Sequence, residues 1–340
     1  MVHTSAIHCG CVQAGLTVGV TSAPHHIGPL FDDLAVGDEI PPLPPVTITE
    51  ADNALYRAVT GDQHLLSADV SAYRSAGGRE ALANPALVMQ YSIGQTTNAT
   101  RRAIANLYYR SVRVLRLVEL GETLRTTTTV LGLRDASAKD GRRRGKVWLG
   151  IQTTGDAGPV AEYERCALLP ARGECGHTDE IPGPSGPTPL ADLAALVPGL
   201  VLRALPATVW TLGETRTDPL RDHIDLAPAL ARLTFNQAAI HRDATLGPGG
   251  RRLVYGGHVQ GMAQASLTRL LAGLTAVVAW DSCDHLGPAF EGDLLEFRHT
   301  LTEAKPAGSG RLLRYEVIGS RVDPATSVDL LRWTPVVWAP

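Results

Sequence analysis

The chain has 340 residues, of which 44% are hydrophobic and 19% charged, with a formal net charge of −3. That length exceeds the usual size of one domain and predicts two of ordinary length, each able to bury a core. The balance is that of a soluble globular protein and argues against both a disordered chain and a nucleic-acid binder.

Residues 1–29 carry neither a basic n-region nor a continuous apolar h-region, so they read as a flexible N-terminal extension and not as a secretory signal. His8, Cys9 and Cys11, with His3, His25 and His26 nearby, lack the spacing of a zinc site, and no metal is expected there. The five cysteines, Cys9, Cys11, Cys166, Cys175 and Cys283, are odd in number and scattered, which predicts a reduced, cytoplasmic protein.

Beyond the extension the chain repeats itself. Thr60, Asp62, Gln63 and Asp69 recur as Thr234, Asn236, Gln237 and Asp243. Each set is followed by a Gly-Gly-Arg step, at Gly77-Gly78-Arg79 and at Gly249-Gly250-Arg251, and then by a turn opening an apolar stretch, Asn84-Pro85 in one half and Gly256-Gly257 in the other. Gly121-Glu122-Thr123-Leu124 similarly parallels Gly292-Asp293-Leu294-Leu295. Between residues 170 and 198 the sequence is rich in proline and glycine, with Pro182, Pro184, Pro187 and Pro189 closely spaced, a composition that holds neither helix nor central strand. The expected organisation is a first repeat over 30–170, a linker over 171–200 and a second repeat over 201–340.

Period-two runs at 124–133, 147–153, 313–318 and 328–337 predict strands. Residues 262–278 place Leu267, Leu270, Leu271, Leu274 and Val278 at helical spacing, predicting one long, mostly buried helix. The apolar run at 270–280 is too short to span a bilayer, so no membrane helix is expected. Each half is therefore α+β, a long helix followed by an antiparallel meander. A helix wrapped by a curved sheet is the hot-dog arrangement, although the pattern alone fits another α+β layering equally well.

Asn236 precedes His241 by five residues, Asp243 lies two further on, and Tyr255-Gly256-Gly257-His258 follows. This segment resembles the hydratase motif of MaoC-like enzymes. Within that family the likeness is to mesaconyl-CoA (2-methylfumaryl-CoA) hydratases, carried by Arg252-Leu253-Val254-Tyr255-Gly256-Gly257-His258, Ile104-Ala105-Asn106-Leu107 and Thr47-Ile48-Thr49-Glu50-Ala51-Asp52, over most of residues 30–340. The resemblance implies a double hot-dog fold and reversible addition of water to an enoyl thioester. It also implies that the first repeat packs its sheet against the second and helps to form the acyl tunnel.

Such chemistry asks for a base for water, an acid for the α-carbon and donors for the thioester oxygen. His241 suits the first task because imidazole exchanges protons near neutrality. Asn236 would hold the water or orient the ring, standing where many relatives have aspartate. Gly256 would present a backbone N–H to the oxyanion ahead of the long helix. Gly257, His258, Arg251 and Arg252 are candidate substrate contacts, the two arginines for coenzyme A phosphates; His258 either lines the site or packs behind the turn. Asp243 reads as a helix cap. Arg142, Arg143, Arg144 and Lys146 read as a solvated hairpin tip.

The first repeat has Asp62 and Ser67 where the second has Asn236 and His241, and a proline in its turn. Serine does not titrate near neutrality and proline lacks an N–H, so this repeat is expected to be silent, with no role for His64. No metal or redox cofactor is expected, coenzyme A or an acyl carrier being part of the substrate, and the oligomeric state is open to a homodimer. Two alternatives stand beside the hydratase: an enzyme recruited to a polyketide-like pathway for dehydration or cyclisation, and a non-catalytic acyl-thioester-binding protein. No nucleotide fingerprint or nucleophile elbow is present, which disfavours a dehydrogenase or an α/β-hydrolase.

Overall fold

The structure, a computed structural model, describes residues 28–183, 186–324 and 326–340. All but the last two residues of the expected 1–29 extension, with its histidines and cysteines, lie outside the described residues.

The first half contains β1 (Val46–Thr47), the helices α1 (Glu50–Thr60), α2 (Leu65–Ala68), α3 (Val70–Ser75) and α4 (Pro85–Gln95), and the strands β2 (Ala105–Val114), β3 (Thr123–Lys139), β4 (Arg142–Gly155) and β5 (Gly158–Pro170). The second half contains β6 (Thr215–Thr217), β7 (Asp222–His223), α5 (Ala227–Leu233), α6 (Gly256–Leu270), β8 (Ala276–His285), β9 (Leu294–Ala307), β10 (Gly310–Val322) and β11 (Ser327–Ala339). All four runs expected as strands fall inside β3, β4, β10 and β11.

The strands form one antiparallel sheet in the order β1-β3-β4-β5-β2-β8-β11-β10-β9-β6, with β7 beside β9. The order is mirrored about β2 and β8, which pair antiparallel with Tyr109 opposite Cys283 and Val112 opposite Trp280. The repeats thus join edge to edge, not sheet against sheet as the resemblance implied. The physical reason is that each repeat would otherwise expose a row of unpaired backbone groups, and pairing β2 with β8 satisfies both rows.

The duplication is visible in the backbone. Gly61 and Phe235 both take left-handed conformations, at φ 69° and 58°, just after α1 and α5. Thr60 and Thr234 each donate a hydroxyl to the carbonyl four residues back, both at 2.8 Å. Gly121 and Gly292 both sit at φ 91°.

On one face of the sheet lie α4 and α6, whose residues are buried along almost their whole lengths. Gln90 Nε2 bridges them, donating to the Gly257 carbonyl at 2.9 Å and to Gln260 Oε1 at 2.8 Å. Strand alternation sends Val277, Leu313 and Val337 to this face, and Ala276, Val278, Leu312, Val336 and Trp338 to the other. The proline-rich segment covers that other face with Leu190 and Leu193. It is pinned there: Thr188 N donates to Asp281 Oδ1 at 3.0 Å, and Arg314 bonds both Asp281 and the Thr188 carbonyl.

The helix expected over 262–278 is displaced. It begins at Gly256, ends at Leu270, and the remaining apolar residues enter β8. Strand β8 is central and buried on both faces over its first five residues, and such a run has no periodicity by which to tell strand from helix. Gly273 marks the break, because a β-carbon there would lie 2.1 Å from the Pro206 carbonyl oxygen.

Candidate active site

The loop after α5 is built around Asn236. Its Oδ1 accepts from the Ala238 N–H at 2.9 Å, a local turn that fixes the amide, while Arg242 Nη2 donates to the Asn236 carbonyl at 2.6 Å. With Oδ1 so engaged, the group Asn236 offers a ligand is its Nδ2 donor.

His241 ends the short turn that follows. Its Nδ1 lies 3.0 Å from the Leu253 carbonyl oxygen. A carbonyl only accepts, so the neutral ring carries its proton on Nδ1 and keeps the lone pair on Nε2. Burial lowers the pKa to about 4, against the effect of the Leu253 bond and with a contribution from the charge of Arg165. The ring leans on Tyr255, centroids 5.7 Å apart.

Tyr255 is the N-cap of α6 and Gly256 its first residue. An N–H at that position has no intrahelical acceptor and sits at the positive end of the helix dipole. In the first repeat the matching position is Pro85, which has no N–H.

One cavity of about 370 Å³ receives Asn236, His241 and Gly256 together, and lies between the repeats. The first repeat supplies Thr97, Asn106, Tyr109 and Arg165 to its wall. Thr97 Oγ1 also accepts from Gln237 N at 2.8 Å, which ties the first repeat to the Asn236 loop. Among the lining residues that sequence reasoning did not single out are His285, Arg165 and, in a binding role, Asn106. His285, at the end of β8, stands beside Gly256 and has a pKa lowered to about 4 by burial and by the charges of Arg165 and His241. Arg165 shares one face of β5 with the buried residues Ala161, Tyr163, Ala167 and Leu169. An inward charge in an otherwise apolar alternation was the signal that could have found it.

The remaining candidates lie outside the cavity wall. Gly257 faces α4, where a β-carbon would be 2.1 Å from Gln90 Oε1, so its glycine serves helix packing. His258 is fully buried beside the backbone of Val59 in α1, behind the turn. Arg251 pairs with Asp293 at 2.9 Å and covers the Phe290 ring, and Arg252 pairs with Glu291. Adjacency in sequence does not bring these three side chains to the cavity: the start of α6 turns His258 away from Gly256, while Arg251 and Arg252 precede the helix and are held by Asp293 and Glu291.

Asp243 caps a short turn by accepting from Thr245 N at 2.9 Å. Arg142 and Arg143 are exposed beside the β3–β4 turn. In the first repeat the equivalent space is closed by its own side chains. Asp62 Oδ1 accepts from His64 N at 2.8 Å and from Asn84 Nδ2 at 2.9 Å, and Ser67 lies 3.3 Å from Asn84 Nδ2. His64 spans to the Thr275 carbonyl through Nε2 at 3.0 Å, a bond that joins the repeats.

Two helix-and-meander repeats sharing a single sheet, with one repeat's loop open and the other's closed, make the double hot-dog class. No family model matches the chain. It is 30% identical over 305 residues to mesaconyl-CoA hydratase of Cereibacter sphaeroides, covering 83% of this chain and 86% of that protein. It is likewise 30% identical over 299 residues to β-methylmalyl-CoA dehydratase of Chloroflexus aurantiacus, covering 81% and 82%. Among solved structures it matches a MaoC domain dehydratase of Chloroflexus aurantiacus (TM-score 0.83, 25% identity, 94% of this chain and 99% of that one). It also matches a conserved hypothetical double hot-dog protein of Mycobacterium tuberculosis (TM-score 0.80, 35% identity, 92% and 98%). The chain belongs to the MaoC-like double hot-dog hydratase/dehydratase family.

Proposed function

We propose that this protein reversibly hydrates the double bond of an enoyl-CoA, with mesaconyl-CoA as the favoured substrate and coenzyme A as its carrier. The observation that carries the reading is the single cavity onto which an imidazole with a free Nε2, an amide donor and an orphan helix-start N–H converge.

Water bound between Asn236 Nδ2, which donates to its oxygen, and His241 Nε2, which accepts its proton, attacks the β-carbon. Negative charge moving onto the thioester oxygen is held by the Gly256 N–H and the dipole of α6. The imidazolium formed beside Arg165 is a strong acid, since the ring's pKa stands at about 4, and it returns the proton to the α-carbon. The reverse sequence is dehydration. Moving one proton and one hydroxide asks for neither metal nor redox cofactor. Free thiols at Cys166, Cys175 and Cys283 support a cytoplasmic setting.

The test is loss of double-bond absorbance when the purified chain meets mesaconyl-CoA or crotonyl-CoA, for the wild type and for His241→Ala. Turnover by the wild type and its loss in the variant are expected; absence of turnover on any enoyl-CoA removes the proposal.

A further inference from the structure

The cavity holds a buried guanidinium without a carboxylate. Arg165 is only 5% exposed. Its Nε donates to Asn106 Oδ1 at 2.6 Å and its Nη1 to Thr96 Oγ1 at 2.7 Å, both neutral acceptors. Among the described residues Nη2 has no hydrogen bond, Arg165 has no ion pair, and no Asp or Glu lines the cavity. The Asn106 amide repeats the pattern: its oxygen is taken by Arg165 and its buried Nδ2 has no acceptor. A charge taken out of water without a counter-ion is costly, and a fold that keeps one at a cavity wall leaves that cost to be relieved by whatever enters.

We infer that Arg165 and Asn106 form an anion-reading pair that receives the second carboxylate of a short dicarboxylic enoyl thioester, making Arg165 the residue that sets acyl specificity. The inference rests on the cavity being the acyl site proposed above. An arginine fork matches a carboxylate, and Nη2 with Asn106 Nδ2 supplies the two donors such a group accepts. The placement fits a short acyl group. A cavity of about 370 Å³ also contains His241 and His285, and the charge of Arg165 lowers the proton affinity of both rings. An anion on Arg165 therefore lies close to the reacting carbons, as it does when the carboxylate is borne by the double bond itself. A neutral acyl chain of the same length leaves the guanidinium unpaired and binds more weakly for that reason.

The test uses saturated thioesters that cannot be hydrated, succinyl-CoA and butyryl-CoA, titrated calorimetrically into the full-length chain. The wild type is expected to bind the dicarboxylic thioester at least ~30-fold more tightly. Asn106→Asp places an isosteric carboxylate against Arg165, and it should bring the two affinities to within about threefold of each other. Arg165→Gln should do the same, and Asn106→Asp keeps the question answerable if Arg165→Gln fails to fold. Equal binding by the wild type, or a preference that survives Asn106→Asp, overturns the inference. Its fate is separable from that of the hydratase reading. A preference without turnover on any enoyl-CoA leaves the anion pair standing and removes the reaction; hydration with no preference does the opposite.

Discussion

The ring of His285 fills the space that a β-carbon on Gly256 would need, with Cε1 2.5 Å and Nε2 2.6 Å from that position. Glycine is thus required here by a neighbour and not by its own dihedral angles. Gly256→Ala should push His285 into the cavity and disturb the N–H beside it. We expect kcat/KM to fall by about 100-fold or more, the range for loss of an oxyanion donor, while the chain remains folded by circular dichroism. An alanine variant of wild-type activity would show that neither group matters to the reaction.

His241 gives a prediction of a different kind. Its pKa of about 4 means that the ring is neutral throughout the ordinary assay range, its proton on Nδ1. The hydration rate should therefore show no falling limb from His241 between about pH 8 and pH 5.5, and should decline only as pH approaches the lowered value. Nitrogen NMR of the labelled enzyme should find the Nδ1–H tautomer. His241→Ala is expected to cost roughly 100- to 10,000-fold in kcat with the fold intact. A limb centred at the ordinary value of 6.5 would show that burial does not lower the ring's pKa in the working enzyme.

Much of this site was legible in the residues because the motif is local: Asn236, His241 and Gly256 lie within 21 positions, and the repeat exposed the same segment in a degraded copy. The strands were legible where one face is buried and the other is not, as in β3, where Leu124, Thr126, Thr128 and Val130 alternate inward. What could not be read has a common cause. His285 and Arg165 reach the cavity from strands far from the motif, and only the pairing of β2 with both β5 and β8 brings them beside it. For His258 the sequence left two readings open, and the structure shows the second, the ring packed behind the turn beside α1.

Acid should unfold this protein through four histidine rings, those of His258 and His299 fully buried and those of His241 and His285 half-buried at the cavity. Burial lowers the pKa values of His241, His258 and His285 to about 4 and that of His299 to about 3, against about 6.5 in an unfolded chain. Below 6.5 the unfolded chain binds protons that the fold refuses, so their contribution is whole above that value and is lost as pH falls toward 4. The slope approaches on the order of 1 kcal/mol per pH unit for each ring. The urea midpoint should accordingly drop steeply between about pH 7 and pH 5, before carboxylate titration begins. A flat midpoint over that window would mean that these rings are protonated in the folded state.

Ser67 occupies the position of His241 in the first repeat, and its surroundings argue that nothing enters there. Its hydroxyl donates to the His64 carbonyl at 3.1 Å and lies 3.3 Å from Asn84 Nδ2. Removing it leaves those neighbours partnered, because Asn84 Nδ2 keeps Asp62 Oδ1 at 2.9 Å and His64 Nδ1 keeps the Ser67 N–H at 3.3 Å. Ser67→Ala should cost about 1 kcal/mol of stability, the net worth of a single hydrogen bond. Hydration kinetics should stay within about twofold of the wild type, since the variant touches neither the cavity wall nor a group that titrates there. Chemical denaturation and steady-state rates measure the two quantities separately. A tenfold loss of kcat, roughly 1.4 kcal/mol of barrier, with stability nearly unchanged would show that the first repeat takes part in the chemistry.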